Sequence, residues 1–452
     1  MSVSNLWARA SSYLNNGHRR SVLAKKNIIK LTLIRIIGVG LSFLVVPLTI
    51  GYVDAADYGI WVALSSVVAW VSLLDLGLSN GLRNRLTQAM SHHDRDLSQR
   101  LVSTAYAALT MIFIPVFLLL LIAAYFVNWG DFLNLPANSR GDLWEVVGIV
   151  ALYFCLRFIF STVNIVLLAT QNAAQAAYSG VLEQALLVVV VYLLTKTTHG
   201  SLKLLAIAVC FSSLAVLLTC NLAIFGGKLR DISPRLSKID FSLAPGIFSL
   251  GLKFFVIQIA GIVQFQTANL ILIRSYGPVD VTNYNIAVKY FSLLPMVMSI
   301  LLTPLWSAVT EAKSARDIKW IGGAVRKYEY AALILIFVGL AMLLISPVVY
   351  GRWISNPQIS VPFGLSAAVF ILNALNAYGA PYCCALNGLG ELDLQFKACL
   401  ISPLIFLASC YLLMALFDLG SISIVLASIV ANFNGYLLAP WQFKKLSSSS
   451  GS

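Results

Sequence analysis

The chain has few charged residues. Asp, Glu, Lys and Arg make up 11% of its 452 residues, and the mean hydropathy is +0.85. Soluble proteins carry about a quarter charged residues, so this composition excludes a soluble protein. Long polar segments are lacking too. The longest loop predicted on the outer side, about residues 128–143, leaves no room for a catalytic domain outside the membrane.

Histidine and cysteine are scarce and do not form a catalytic or metal-binding pattern. The four histidines lie outside the apolar blocks, and none stands beside a plausible nucleophile. All seven cysteines lie within apolar blocks, without the spacing of metal ligands. We therefore predict a protein that is not an enzyme and that has no metal or other cofactor.

Apolar material is present instead as separate blocks of about 20 residues, the length that a helix needs to cross about 30 Å of hydrocarbon. Transmembrane β-strands are about half as long and alternate in polarity, so the fold class predicted is an all-α polytopic membrane protein. Twelve spans are predicted, at residues 27–52, 59–79, 101–127, 144–168, 177–195, 202–226, 247–273, 283–309, 328–350, 361–385, 398–416 and 421–441.

Lysine and arginine residues are divided unequally between the two sides of the membrane. Twelve spans place both termini on one side, which then holds 22 Lys and Arg residues against five on the other. Because positive residues concentrate in cytoplasmic segments, the N-terminal segment 1–26 and the C-terminal tail 442–452 are predicted to be cytoplasmic. Topology and anionic lipids then account for the net charge of +13 without nucleic acid.

A short internal repeat divides the chain in half. Residues 51–60 and 277–286 follow the first and seventh spans, and they match at five of ten positions with an offset of 226 residues. Six helices per half is an even number, so both halves enter the membrane in the same direction, as in parallel transporter repeats. The predicted lobes are residues 27–226 and 247–441, joined by a cytoplasmic linker at 227–246, with substrate expected in a central cavity between them.

Charged residues within the predicted spans are the main candidates for function. Insertion of one such cation at a helix centre costs about 2.5–3.5 kcal/mol. The basic residues are Arg35, Arg157, Lys253 and Lys289, and the acidic residues are Asp75 and Glu183. Two acids cannot neutralise four bases, so at least two cations are expected to face a wet cavity that attracts anions. Arginine also suits phosphate, because its planar guanidinium can bond two oxygens at once.

The two acids leave two interpretations open. Asp75 and Glu183 could each form a local ion pair, or they could carry the protons or sodium ions that couple transport. Polar residues in span seven leave a similar choice, since Gln258, Gln266 and Asn269 share roughly one helical face. That stripe could contact a glycan or hydrogen-bond a neighbouring helix. Pro295 and Pro304 in span eight are the best candidates for bends.

Short motifs in the first hundred residues resemble a known family. They are Pro47 after an apolar run, Asp57-Tyr58-Gly59 at the start of span two, and Asp75-Leu76-Gly77-Leu78 followed by Asn80 and Arg83. This pattern resembles the polysaccharide transporter family, the O-antigen type of lipid-linked oligosaccharide flippases. The family belongs to the multidrug/oligosaccharidyl-lipid/polysaccharide exporter superfamily. The resemblance is strongest over residues 27–110.

The resemblance implies two six-helix lobes around a cationic cavity that opens alternately to each side. It also implies that the substrate is an undecaprenyl diphosphate-linked oligosaccharide, moved from the inner to the outer leaflet of the bacterial inner membrane. Arg35, Arg157, Lys253 and Lys289 would then hold the diphosphate. Membrane lipids and other polysaccharide assembly proteins are the further partners that such a role implies.

Three alternatives remain at this stage. A multidrug exporter of the same fold is expected to carry an excess of intramembrane acids when its substrates are cations, and here bases outnumber acids. A major facilitator carrier also has a parallel 6+6 plan, but the short linker counts against it. A membrane glycan polymerase or acyltransferase is expected to carry a large outer loop or a catalytic cluster, and the sequence has neither.

Overall fold

The computed structural model describes residues 19–70, 78–135, 143–170, 172–245, 264, 266–314, 317–354, 356, 359–391, 393–417 and 419–449. Within these residues, ten helices are long and apolar enough to cross a membrane. The all-helical, multi-pass fold is thus confirmed. Two predicted spans, 59–79 and 247–273, lie partly outside the described residues, so the count of twelve stays a prediction.

Eight helices precede the linker and form an N-terminal helix group. They are α1 (Arg19–Val53), α2 (Ala55–Ala69), α3 (Leu78–Ser91), α4 (Arg95–Phe126), the short α5 (Trp129–Phe132), α6 (Leu143–Ala169), α7 (Ala173–Thr197) and α8 (Leu202–Gly226). Within this group, α1 packs on α7, and α6 packs on both α4 and α8.

The C-terminal helix group follows the linker. It contains α9 (266–276), α10 (Pro278–Phe291), α11 (Leu293–Ser314), α12 (Ile318–Trp353), α13 (Phe363–Leu389), α14 (Asp393–Phe417), α15 (Ser421–Ala431), a π-helical turn (Asn434–Leu438) and α16 (Ala439–Ser449). Here α13 packs against α11, α12 and α15. Among the described elements, α2 and α10 form the main contact between the two groups.

Several helices extend beyond the predicted spans. Helix α4 begins at Arg95 and α12 at Ile318, several residues before the spans predicted from 101 and 328. Hydropathy detects only the part of a helix that lies in hydrocarbon, whereas capping decides where the helix begins. The Asp94 and Asp317 carboxylates accept hydrogen bonds from the backbone N–H groups of Leu97, at 2.9 Å, and Trp320, at 3.0 Å, which satisfies donors that the first turn leaves free.

Span eight is interrupted near its predicted bend. Helix α10 ends at Phe291 and α11 begins at Leu293, two residues before Pro295. A proline lacks the backbone N–H and its ring clashes with the carbonyl four residues earlier, which here belongs to Phe291. The chain therefore breaks between the two helices. At the second candidate, residue 304, α11 continues without interruption.

The linker between the groups is bound along the first turns of α4. It forms three short 3₁₀ turns, Arg230–Ile232, Leu236–Lys238 and Phe241–Leu243. Its ion pairs join Asp231 to Arg95, Lys238 to Asp96 and Asp240 to Arg100. We call the end of the bundle where the linker lies the linker end, and the opposite end, where α1 finishes at Val53, the far end.

Candidate functional site

A cavity of about 550 Å³ lies between the two helix groups. Its lining comes from three helices. Arg35 and Ser42 lie on α1, Gln184 on α7, and Met296 and Ser299 on α11. Arg35 is 18 residues before the end of α1 at Val53, or about 27 Å along the helix. The α7 lining residues belong to the first half of that helix, which starts at the linker end, where Lys228 donates to Asn172 at 2.6 Å. The cavity therefore lies between the middle of the bundle and the linker end.

Arg35 supplies the charge in this cavity. Its side chain is exposed, and it forms no ion pair with a described residue. The small residue Gly38 lies one turn further along α1, and a Cβ there would meet Val181 of α7 at 3.3 Å. This close packing of α1 and α7 places Arg35 beside Gln184, so a guanidinium and an amide line the same wall.

Lys289, on α10 of the C-terminal group, contacts α1 next to this cavity. Its ammonium lies 5.7 Å from the ring centroid of Phe43 on α1, a contact within cation–π range. Phe43 follows the cavity residue Ser42 and stacks on Trp353, whose indole N–H donates to the Phe43 carbonyl at 2.9 Å. Lys289 forms no ion pair with a described residue. Arg35 and Phe43 are eight residues apart, or about 12 Å along α1.

Arg157 and Glu183 form an ion pair with each other, and neither lines the cavity. The guanidinium donates to Glu183 Oε2 at 2.6 Å and to the Tyr153 hydroxyl at 2.8 Å. The Ser213 hydroxyl also contacts the guanidinium and donates to the same Glu183 oxygen at 2.7 Å. Glu183 is 8% exposed, whereas the Arg157 side chain is 38% exposed. This local ion pair joins α6, α7 and α8.

Asn269 takes part in helix–helix hydrogen bonding. Its amide donates to the Ser66 hydroxyl on α2 at 2.9 Å and accepts from the Asn285 amide on α10 at 2.8 Å. The side chain is buried, and it connects the two helix groups. Gln266 is half-buried. Nearby, Gln264 donates to Ser402 at 2.5 Å.

The crossing of α2 and α10 brings the two repeat segments together. A Cβ at Gly59 would lie 1.8 Å from the Pro278 carbonyl oxygen, and the Thr282 hydroxyl donates to the Ala55 carbonyl at 2.6 Å. Gly59, four positions after the first residue of α2, thus meets Pro278, the first residue of α10. Thr282, four positions after Pro278, meets Ala55, the first residue of α2. Reciprocal contacts of this kind are those that a two-fold axis generates. The crossing lies at the far end.

The two helices also begin with the same backbone conformation. Asp54 before α2 has φ 84° and ψ 175°, and Gly277 before α10 has φ 93° and ψ 176°. Asp and Gly are among the residues that best tolerate positive φ. The structure thus pairs Gly277 with Asp54, whereas the ten-residue sequence match pairs Gly277 with Gly51. The two alignments differ by three residues, and the residues that are structurally equivalent are those given by the helix starts.

Three of the predicted site residues, Asp75, Lys253 and Gln258, lie outside the described residues. Residues that the sequence reasoning missed are the cavity residues Gln184 and Ser299. Gln184 directly follows Glu183 in an apolar span, and a polar pair at that place was a usable signal. Ser299 gave no such signal, because serine is common in membrane helices.

Three kinds of similarity accompany this geometry. The sequence profile of the family described as polysaccharide biosynthesis protein matches residues 24–309. A Yersinia pseudotuberculosis protein assigned by name to O-antigen export is 22% identical over 373 residues, covering 79% of this chain and 82% of the relative. A Salmonella typhi protein assigned by name to O-antigen transport is 21% identical over 353 residues, covering 75% of this chain and 77% of the relative.

Solved structures show the fold. The inward-facing conformation of a multidrug resistance transporter of the MATE family, in the MOP superfamily, superposes with a TM-score of 0.74. The match covers 94% of this chain and 99% of that structure at 14% identity. At this identity the likeness concerns the fold and leaves the substrate open.

Proposed function

Because the chain belongs to the polysaccharide biosynthesis protein family, we propose that it is an O-antigen-type transporter that flips a lipid-linked oligosaccharide across the membrane. The proposed substrate is an undecaprenyl diphosphate-linked repeat unit, moved from the inner to the outer leaflet of the bacterial inner membrane. The observation that carries the proposal is the cavity between the helix groups, whose one charged lining residue among those described is Arg35.

The diphosphate is the part of the substrate that this cleft suits best. Arg35 from the N-terminal group lines the cleft, and Lys289 from the C-terminal group lies over Phe43, the residue that follows the lining residue Ser42. Neither cation forms an ion pair with a described residue. Cations inside a membrane protein concentrate anions in a low-dielectric cavity. We assign the diphosphate contact to Arg35 and Lys289, and leave Lys253 as a further candidate. Arg157 becomes a weaker candidate, because Glu183 balances its charge.

The glycan is then expected to meet neutral polar side chains. Gln184 and Ser299 line the cavity and are the best-placed donors and acceptors for hydroxyl groups. The polar stripe of span seven is less suited, since Asn269 already uses its amide across α2 and α10. Gln258 and Gln266 remain candidates for the same contact.

Alternating access fits the positions of the contacts between the helix groups. The α2–α10 crossing closes the far end, whereas the cavity lies toward the linker end. The linker end carries the excess of Lys and Arg, so we assign it to the cytoplasm, with both termini on that side of a twelve-helix, two-lobe protein. The state described is then inward-facing. Coupling to protons or sodium ions through Asp75 stays part of the proposal. Glu183 is less suited to a coupling role, because it is paired with Arg157.

Reconstitution in liposomes tests the proposal. The assay measures translocation of an undecaprenyl diphosphate-linked oligosaccharide for the unaltered protein and for Arg35→Gln and Lys289→Gln. Each variant is expected to lose at least about tenfold in rate, because one charge-assisted hydrogen bond to the diphosphate is removed. Arg326→Gln removes an exposed cation at the linker end and is the matched control.

Two outcomes would count against this function. Full translocation by both Arg35→Gln and Lys289→Gln would remove the diphosphate site from this cleft. Efflux of a cationic dye by the unaltered protein, without translocation of the lipid-linked sugar, would favour the multidrug exporter instead. Repeating the assay with proton and sodium gradients imposed separately tests coupling.

A further inference from the structure

A second cavity, of about 620 Å³, lies at the linker end and outside the cleft between the helix groups. Its walls come from the last turns of α3, the first turns of α4 and the final 3₁₀ turn of the linker. It is lined by Arg85 on α3, His92 directly after α3, Asp94 before α4, Leu97 and Leu101 on α4, and Leu243 on the linker. The cavity exists because the linker is bound to α4.

Backbone and side-chain hydrogen bonds fix the linker on α4. The Asp240 backbone N–H donates to the Thr104 hydroxyl at 2.9 Å, and that hydroxyl donates to the Asp240 carbonyl at 3.1 Å. The Ser103 hydroxyl accepts from the Arg235 backbone N–H at 3.0 Å. With the three ion pairs, these bonds connect the linker to successive turns of α4.

The lining is ordered along the membrane normal. Leu101 begins the apolar stretch of α4 and directly follows Arg100, so the predicted span starts here. Asp94 is seven residues earlier, or about 10 Å further from the membrane. Helix α3 packs on α4 and is joined to it by the short turn at residues 92–94, so the two helices run in opposite directions. Arg85 is therefore nearer the membrane than His92, which lies in that turn. Moving outward from the bilayer, the cavity thus presents Leu101 and Arg85 first, and then His92 and Asp94.

Two of the charged groups have free bonding capacity. Arg85 is exposed and forms no ion pair with a described residue. One oxygen of the Asp94 carboxylate accepts from the Leu97 backbone N–H at 2.9 Å, and its other oxygen has no partner in the described part of the chain. The cavity therefore offers a cationic donor closer to the membrane and an anionic acceptor further from it.

We propose that this cavity binds the headgroup of an amine-bearing zwitterionic phospholipid from the adjacent leaflet. In such a lipid the phosphate follows the glycerol and the ammonium lies outermost, so the order of groups matches the order of the lining. Arg85 takes the phosphate, Asp94 takes the ammonium, and Leu97, Leu101 and Leu243 contact the glycerol and the first methylenes. A purely anionic headgroup would leave Asp94 facing a negative charge.

Native mass spectrometry of the full-length protein in detergent tests this site. The protein is titrated with phosphatidylethanolamine and, separately, with phosphatidylglycerol of the same chains. The unaltered protein is expected to bind the ethanolamine lipid about tenfold more tightly, the effect of one charge-assisted hydrogen bond. Inorganic phosphate and soluble phosphoethanolamine are added as competitors, to distinguish a lipid site from a site for free phosphate.

The variants separate the two charges. Arg85→Gln is expected to weaken both lipids about tenfold, whereas Asp94→Asn should abolish the preference for the amine and leave phosphatidylglycerol bound. Asparagine still caps α4, so the second variant is expected to fold. Arg83→Gln, an exposed cation two residues from Arg85, is the control. Equal affinity for both lipids, equal behaviour of the two arginine variants, or displacement by inorganic phosphate would each overturn the proposal.

Discussion

Replacing Arg157 tests whether its ion pair with Glu183 stabilises the helix packing. Arg157→Met keeps most of the side-chain volume but leaves a carboxylate that is 8% exposed without its 2.6 Å partner. Removing one member of a buried pair costs about 3–5 kcal/mol. The Arg157 side chain is 38% exposed, so solvent screening lowers the expected cost to about 2–3 kcal/mol.

The assay is thermal unfolding in detergent, followed by circular dichroism. An unfolding entropy of about 2.1 cal/mol/K per residue over 452 residues converts this cost into a Tm decrease of about 2–3 °C. Glu183→Gln is expected to cost less, because its amide oxygen still accepts from the guanidinium. The double variant should be less destabilised than the sum of the single variants by about 1–2 kcal/mol, which a double-mutant cycle measures.

Transport by the double variant separates packing from substrate binding. If Arg157 acts only through Glu183, the double variant should regain much of the translocation rate that Arg157→Met loses. A double variant that is stable and inactive would assign Arg157 to the substrate. A single variant with an unchanged Tm, or a coupling energy near zero, would refute the reasoning from burial.

Two further predictions concern the ends of the bundle. Gly59→Val should lower the free energy of unfolding by about 1–3 kcal/mol, because its Cβ would lie 1.8 Å from the Pro278 carbonyl oxygen. Gly51→Val is the control, since a Cβ there meets nothing within 4 Å. Equal decreases in Tm for the two variants would contradict the close crossing of α2 and α10. Hydrogen bonds from Ser242 and Arg100 lower the pKa of Asp240 below 3.8, so binding of the linker should be complete above pH 3.8 and be lost as the pH falls through the lowered value. Hydrogen–deuterium exchange of residues 230–243, corrected for intrinsic rates, measures this. Asp240→Asn should reduce the pH dependence and leave the part that comes from Asp96, whose pKa Lys238 lowers; equal protection at pH 7 and pH 3 in the unaltered protein would contradict the prediction.

The candidate site was partly predictable. Arg35 and Lys289 were identified because a charge in an apolar span is costly wherever the helix faces. The partner of Arg157 could not be predicted, because Glu183 is 26 residues away on another helix. The role of Asn269 was left between glycan contact and helix bonding, and only the positions of Ser66 and Asn285 favour the second.

The sequence by itself determined that the protein is helical and crosses the membrane many times. It also predicted a linker between two helix groups and a depth for each charged residue. These properties follow from hydropathy and from the helical rise per residue, because both concern how residues are distributed along the membrane normal. The tertiary structure decided which helices are lateral neighbours: it paired Arg157 with Glu183, left Arg35 in the cleft, and crossed α2 with α10 at Gly59. Lipid is as apolar as the helix surfaces, so hydropathy does not select neighbours; close packing and hydrogen bonds do.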